Sequence, residues 1–222
     1  SMASHEFRTP LTTVLSSAVL LGKYTQSEDQ DKRDRHIKKI KDSVSHLNDL
    51  LEDFLSLGKL SEGKIAAQSE PFEVNLLLEE TVDELKAILK AHQVIKIESA
   101  DNIVFNSDKK LLKNILINLL SNAIKFSGET SLIQVRGISE ENRLIISVID
   151  QGIGIPADDL PNMFTSFYRA RNAINIEGTG LGLHIVKRYA DLLHGSVAIE
   201  SEPGKGTTFT ISLPSLQSEI IS

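Results

Sequence analysis

Apolar side chains recur at Phe7, Leu11, Val14, Ala18 and Leu21, and again at Ile37, Ile40, Val44, Leu47, Leu51 and Phe54, in alternating steps of three and four residues. That spacing keeps one stripe of each segment apolar and predicts two helices with heptad seams. The intervening KYTQSEDQDKRD is polar and charged, which suits a turn followed by the solvated start of the second helix. Residues 1–60 are therefore expected to form a helical hairpin. A lone hairpin cannot cover both stripes, so two copies are expected to pair about a two-fold axis as a four-helix bundle, a homodimer. GKLSEGKIAAQSEP, Gly58 to Pro71, loses the heptad and gains Gly, Ser and Pro, which marks a linker over residues 61–70.

Past the linker the periodicity changes. PFEVN suggests a short strand, Leu76 to Leu89 an amphipathic helix, VIKIES a strand, and Lys109 to Phe126 a strongly apolar helix. SLIQVRGIS and RLIISVID alternate apolar and polar positions as paired strands do. Leu181 to Leu193 has helical spacing, and GSVAIESEPGKGTTFTISLP reads as a strand hairpin. Strands and helices mix without a strict βαβ repeat, so residues 71–222 are expected to form an α+β two-layer sandwich, one sheet covered on one face by helices.

Composition narrows the function classes. The 222 residues are 41% hydrophobic and 24% charged, enough apolar content for a buried core in one or two domains. A net charge of −6 argues against nucleic acid or an anionic membrane as the main partner, because phosphate-neutralising surfaces show as a basic excess. The absence of cysteine excludes disulfides, thiolate metal sites and a catalytic thiol, and suits the cytoplasm. No apolar run is long enough to cross a bilayer, so no membrane contact is expected of this chain. An amphipathic pattern already running at His5 suggests a piece of a longer protein, with a sensory or membrane part upstream.

Four clusters and one long loop carry candidate chemistry. In SHEFRTPL the seam at Phe7 and Leu11 puts His5, Glu6 and Thr9 at outward heptad positions. Glu6 can take a proton from the imidazole and leave the other ring nitrogen to attack an electrophile. Pro10 cannot donate to the Glu6 carbonyl, which predicts a bend just beyond the histidine. In NLLSNAIKFS, Asn118 and Asn122 lie one turn apart on one face of an apolar helix, a costly placement unless they are satisfied. A side-chain amide oxygen beside nucleotide phosphates suits Mg²⁺, and Lys125 is placed to reach the same phosphates.

DQGIGIP ends a strand at Asp150 and continues through Gly152 and Gly154, a carboxylate for an exocyclic amine beside bare backbone for a base. EGTGLGL runs Gly178, Gly180 and Gly182 into a helix whose N-terminal amides favour phosphate oxygens. Neither is the dinucleotide fingerprint or the lysine-bearing phosphate loop. The segment between the two glycine clusters is long enough for a lid, with Phe164 and Phe167 as apolar anchors and Arg169 for a terminal phosphate. Each cluster alone has a plainer alternative: an exposed histidine with no task, asparagines bonded inside the sandwich, glycines that serve tight turns, or lid aromatics that are core and an arginine that is solvated.

Taken in this order, the clusters resemble the catalytic core of a bacterial sensor histidine kinase of two-component signalling, over essentially the whole chain. SHEFRTPL is similar to the family's H box, NLLSNAIKFS to its N box, DQGIGIP and EGTGLGL to its two glycine boxes, MFTSFYR to its F box and GKGT to its closing turn. The resemblance implies a kinase that transfers the γ-phosphoryl group of ATP to His5 with Glu6 as base. It implies Asn122 as the Mg²⁺ ligand with Asn118 nearby, Lys125 and Arg169 on phosphates, and Asp150 on the adenine amine. Gly152, Gly154, Gly178, Gly180, Leu181 and Gly182 would line the nucleotide, Phe126 would touch it, and Thr207 would meet the adenine through water.

Thr9 stands where the family places a polar residue that orients water for dephosphorylating the partner, and the implied partner is the aspartate-bearing receiver domain of a response regulator. The family's dimerisation helix usually begins well before its histidine, so a weakened dimer is expected. A degenerate kinase serving as a scaffold, or a chaperone or topoisomerase relative, would be the competing readings; the latter would lack the histidine-bearing hairpin. Continuing the heptad puts Thr12, Ser16, Val19 and Leu20 on the outer side of His5, where the two apolar side chains either meet the receiver or pack on the second helix.

Overall fold

A computed structural model describes residues 2–63, 65–99, 103–176 and 178–216. Helix α1 spans Met2–Leu21 and α2 spans Gln30–Ser61, packed side by side as the expected hairpin. Pro10 lies inside α1, which continues to Leu21. At the turn, Arg33 donates to the carbonyls of Tyr24 (2.9 Å) and Gln26 (2.7 Å), and Tyr24 stacks on His36 with ring centroids 5.7 Å apart. These contacts anchor the start of α2 where its sequence is too polar to anchor itself.

The heptad seams are divided between two faces. Pro10, Ser17 and Leu50 are buried, whereas Leu11, Ile37, Val44, Leu51 and Phe54 remain 41–55% exposed. Each helix carries an apolar stripe wider than a strict seam, and its own hairpin partner covers only one edge of it. Of the two apolar residues beyond His5, Leu20 is partly covered and Val19 is 55% exposed.

The sandwich begins with β1 (Glu70–Glu73) and α3 (Val74–Leu85), then β2 (Val94–Ser99) and β3 (Val104–Ser107). Helix α4 (Lys109–Phe126) and strands β4 (Leu132–Glu140) and β5 (Arg143–Asp150) follow. After the long loop come α5 (Gly182–Leu192), β6 (Ser196–Glu202) and β7 (Gly206–Pro214). A five-stranded sheet has the order β2-β4-β5-β7-β6, and β1 pairs with β3 in a separate two-stranded ribbon. Every neighbour in the large sheet is antiparallel except β2 and β4, which run parallel.

Burial alternates along β5 and β7: Leu144, Ile146, Val148, Phe209, Ile211 and Leu213 face the helices and are buried. Against them α4 sets Leu112, Ile115, Leu116 and Leu119, all fully buried. Apolar residues spaced as in a helix meet apolar residues alternating as in a strand, which is the two-layer arrangement expected. Helix α3 starts at Val74, two residues ahead of expectation, and ends in a 3₁₀ turn at Lys86–Ile88. The unforeseen strand β3 is only VFNS, too short to show alternation, and pairing with β1 defines it.

The linker is tied down at its far end. Gln68 N donates to Asp108 Oδ2 at 2.8 Å, while Asp108 Oδ1 caps α4 by accepting from Leu111 N at 2.9 Å.

Candidate active site

Helix α4 buries its apolar face in the sandwich, so its polar positions Asn118, Ser121, Asn122 and Lys125 emerge together along one wall of a cavity of about 610 Å³. Asn118 donates Nδ2 to the Asn114 carbonyl at 2.9 Å, which leaves Oδ1 aimed at Gly182, where a Cβ would lie 2.9 Å from it. Asn122 is half-buried, and its carboxamide has no partner among the described residues. Lys125 Nζ lies 5.1 Å from the Phe126 ring centroid, and a Cβ on Gly178 would come within 2.6 Å of it. The helix thereby presents an amide oxygen and an ammonium to the first turn of the second glycine cluster.

At the opposite wall β5 delivers Asp150, 7% exposed. Its Oδ1 accepts from Gly152 N at 2.8 Å and Thr207 N at 3.2 Å, and its other oxygen has no partner among the described residues. Burial raises the Asp150 carboxyl above the ordinary aspartate range, and the two backbone N–H groups oppose that rise. One oxygen is thus fixed, and the other is free to accept from a ligand. Thr207 shares its hydroxyl with Ser201 Oγ at 2.8 Å and lines the same wall.

Gly152 lies beneath Asp150 rather than on the cavity surface, bridged to Ser127. Gly154 has φ +64°, and a Cβ there would sit 2.0 Å from the Glu202 carbonyl, so only glycine permits this turn. Phe126 borders the cavity and packs on a small apolar cluster of Ile155, Ala170 and Ala173.

The lid of residues 155–176 is ordered by Asp159. This buried carboxylate accepts from Arg171 N (2.9 Å), Tyr168 Oη (2.9 Å) and Arg171 Nε (3.1 Å), and the Arg171 backbone bond is the leading cause of its lowered pKa. Phe164 and Phe167 pack partly buried against the core, as lid anchors. Arg169 donates to the carbonyls of Ala173 (2.9 Å), Ile174 (3.0 Å) and Ile176 while bordering the cavity, so reaching a phosphate requires it to leave those carbonyls.

The second glycine cluster closes against the lid. Phe167 N donates to the Gly180 carbonyl at 2.9 Å; Gly180 has φ +69°, and a Cβ on it would strike the Phe167 backbone. Gly178, Gly180 and Gly182 all border the cavity. Leu181 does not: its side chain is 1% exposed in the core, and its N–H donates to Thr179 Oγ1 at 3.1 Å. The residue before a helix that starts at Gly182 turns its side chain inward here, so only its backbone lies between the cavity-lining Gly180 and Gly182.

His5 and Glu6 do not enter the large cavity. With Thr9 they line a smaller, open one, about 390 Å³, bordered by Asp42, Ser43 and His46 of α2 and by Arg169 and Gly178 of the lid and glycine cluster. Arg169 and Gly178 border both cavities. Thr9 Oγ1 donates back to the His5 carbonyl at 3.2 Å, leaving its oxygen free to accept.

Several residues with no local sequence signal complete the site. Lys90 Nζ donates to the carbonyls of Lys125 (2.8 Å) and Ser127 (2.6 Å), and Gln93 Nε2 to those of Ile124 (3.0 Å) and Gly128 (2.9 Å). Together they cap the end of α4 and hold Phe126 in place. Asp49, Glu52 and Asp53 of α2 also border the large cavity, and Asp53 accepts from Thr179 Oγ1 at 2.7 Å.

Two family models match this chain. Residues 107–217 match the histidine kinase-, DNA gyrase B- and HSP90-like ATPases, and residues 1–63 match the His Kinase A phosphoacceptor domain. Over 217 residues the chain is 38% identical to the circadian input-output histidine kinase CikA of Synechococcus elongatus, a match spanning 95% of this chain and 29% of that protein. It is 34% identical to the autoinducer 2 sensor kinase/phosphatase LuxQ of Vibrio parahaemolyticus, over 95% of this chain and 25% of that one. The fold is shared with full-length ShkA, crystallised with AMPPNP, at a TM-score of 0.70 and 28% identity, covering 97% of this chain and 45% of ShkA. The chain thus spans about a quarter to a third of the length of these two curated relatives.

Proposed function

Because the chain belongs to the sensor histidine kinase family, with its phosphoacceptor hairpin followed by its ATP-binding domain, we propose that it phosphorylates its own His5 from ATP and passes the phosphoryl group to an aspartate of a response-regulator receiver domain. The observation that carries this reading is the junction of the two cavities. One holds an adenine-type acceptor at Asp150 and phosphate-type donors at Lys125, the other holds His5 and Glu6, and Arg169 and Gly178 border both.

Adenine is recognised by the free Asp150 oxygen, which accepts from the exocyclic amine while Gly152 and Thr207 hold the carboxylate in place. Phe126 supplies an apolar surface for the base, with Lys125 on the phosphate side. Mg²⁺ suits the donor set: a hard amide oxygen at Asn122, unpartnered among the described residues and facing a space meant for phosphates. When bound, the ion supplies charge neutralisation on the phosphates. Catalysis is then mainly positioning plus electrostatics. Arg169, released from its lid carbonyls, bears on the charge that develops at the transferred group.

At the acceptor, a ring nitrogen of His5 forms the N–P bond as the bond from the γ-phosphorus to the β–γ bridging oxygen breaks. ADP leaves with the electron pair, and Glu6 takes the proton from the other ring nitrogen. Thr9, one turn along, orients water against the phosphorylated receiver, which gives the chain phosphatase activity of the kind named for LuxQ. The exposed residues Leu11, Ile37, Val44, Leu51 and Phe54 are covered by a second copy, so the working unit is a homodimer. ATP use places this part of the protein in the cytoplasm.

Incubation with γ-labelled ATP tests the reading. Wild type should acquire an acid-labile, base-stable label, and His5→Gln should acquire none. Acid-stable label, or label retained by His5→Gln, would overturn it.

A further inference from the structure

Resting on that kinase reading, we propose that Asp159 is a positioning residue for phosphoryl transfer: it fixes the backbone on both sides of Arg169, so that the guanidinium reaches the transferred group by rotating its side chain alone. Asp159 is 3% exposed and borders neither cavity. Its Oδ1 accepts from Tyr168 Oη at 2.9 Å and Arg171 Nε at 3.1 Å, and its Oδ2 accepts from Arg171 N at 2.9 Å. Arg169 follows the first of these residues directly and precedes the second by two positions. One buried carboxylate therefore holds the chain on either side of the arginine.

Neighbouring contacts close off the remaining freedom. Phe167 N donates to the Gly180 carbonyl at 2.9 Å, Ala170 is buried in the small apolar cluster with Ile155 and Ala173, and Asn172 Nδ2 donates to the Gly154 carbonyl at 2.8 Å. From Phe167 to Asn172, each residue except Arg169 is thus tied to the body of the domain or to Asp159. The Arg169 side chain is bonded to lid carbonyls, those of Ala173, Ile174 and Ile176. Exchanging those acceptors for phosphate oxygens then takes a rotation and no rearrangement of the loop. A charge that needs no reorganisation at the moment of transfer stabilises the reacting group the more.

Two further features single out Asp159. Phe167 sits at φ +62°, a conformation that an aromatic residue keeps only where its surroundings impose it, so the lid has a relaxed alternative if the clamp is lost. Asp158 also meets Arg171, at 3.1 Å, but its side chain is 86% exposed, and a pair so exposed contributes little.

Initial rates of His5 labelling at saturating γ-labelled ATP, with ATP affinity measured separately by calorimetry, test the proposal. Asp159→Asn sets an NH₂ against one of the donors that the carboxylate now serves. It should slow labelling by about 10-fold or more, the loss expected of a misplaced charge, while ATP affinity changes by less than about threefold. Asp158→Asn should stay within about twofold of wild type. In an Arg169→Ala background, Asp159→Asn should cost less than about twofold more, because it acts through the arginine. Equal costs in the two backgrounds, an equal loss in Asp158→Asn, or unchanged labelling in Asp159→Asn would overturn the proposal. Tyr168→Phe leaves both Arg171 bonds in place and should show the same pattern in smaller measure, which keeps the claim open to refutation if Asp159→Asn does not fold. Wild type that acquires no label would strike the kinase reading instead, and amide hydrogen exchange then reads the lid without turnover. The folded variants should exchange faster over residues 167–173 and keep the wild-type protection of α4 and β5. Unchanged exchange in the lid, or loss of protection spreading to α4 and β5, would overturn the proposal.

Discussion

Thr179 Oγ1 and Asp53 Oδ2 lie 2.7 Å apart, a hydrogen bond that joins the glycine cluster of the ATP-binding domain to the second helix of the hairpin across 126 residues of sequence. Asp53 stands beside Asp49 and Glu52, and its carboxyl is raised above the usual range, first by burial and then by those two charges, against the lowering effect of Thr179. A carboxyl whose folded pKa is raised holds its proton longer in the folded state. Its contribution to stability therefore falls as pH rises from the ordinary aspartate value through the raised one, and the cost persists above it.

Asp53→Asn keeps an acceptor for Thr179 without the charge. At neutral pH it should raise Tm by about 1–3 °C, a gain limited by solvent screening at a half-buried position. It should also tighten ATP binding by removing one negative charge from the cavity wall. Thermal melts across the acid range check this, and Asp53→Asn melting below wild type at neutral pH would contradict it.

Asp150→Asn should change which base is preferred, beyond weakening ATP. The Gly152 and Thr207 N–H groups keep an oxygen at the Oδ1 position, so the new NH₂ points into the cavity and meets the adenine amine donor to donor. ATP affinity should fall by about 10- to 100-fold, the loss expected of one hydrogen bond to a charged group. ITP, which presents a carbonyl there, should gain relative to ATP. Asn122→Ala should instead lose mainly the Mg²⁺-dependent part of ATP affinity. Calorimetric titration with and without Mg²⁺ separates the two, and identical losses would contradict the assignment.

Gln93→Ala should cost about 1–3 kcal/mol in denaturant unfolding, since a buried amide that donates to the carbonyls of Ile124 and Gly128 is lost and those groups are left unpaired. Nucleotide affinity should fall with it, because the same capping holds Phe126. Unchanged stability would show the capping to be replaceable by water.

Thr9→Ala should leave His5 labelling within about twofold of wild type, as expected for an exposed surface change. It should slow dephosphorylation of the receiver by about 10-fold or more, the loss of one water-orienting group. The rate of phosphate release from phosphorylated receiver measures it, and equal rates in the two proteins would remove Thr9 from the mechanism.

Much of this architecture was legible in the sequence because it is periodic. Helix α4 begins at Lys109 and ends at Phe126 as the spacing predicts, and β5 runs from Arg143 to Asp150 as the alternation predicts. Asn118, Asn122, Lys125, Asp150 and Thr207 converge on one cavity. The divided seams of the hairpin were not legible, because a repeat gives the apolar stripe without saying which edge a neighbour covers. Nor were Lys90 and Asp53, whose partners lie 35 and 126 residues away and leave no mark on local spacing. Nor was the inward turn of the Leu181 side chain, which lies in the core just before α5.

The central claim is that His5 accepts a phosphoryl group from ATP. Its most direct measurement is the site of modification, by tandem mass spectrometry of wild type incubated with ATP and Mg²⁺ and digested at alkaline pH so that a phosphoramidate survives. The account predicts one added phosphoryl group, on His5, absent from Asp150→Asn. Modification of His36, His46 or His184, or of a serine or threonine while His5 stays bare, would contradict it.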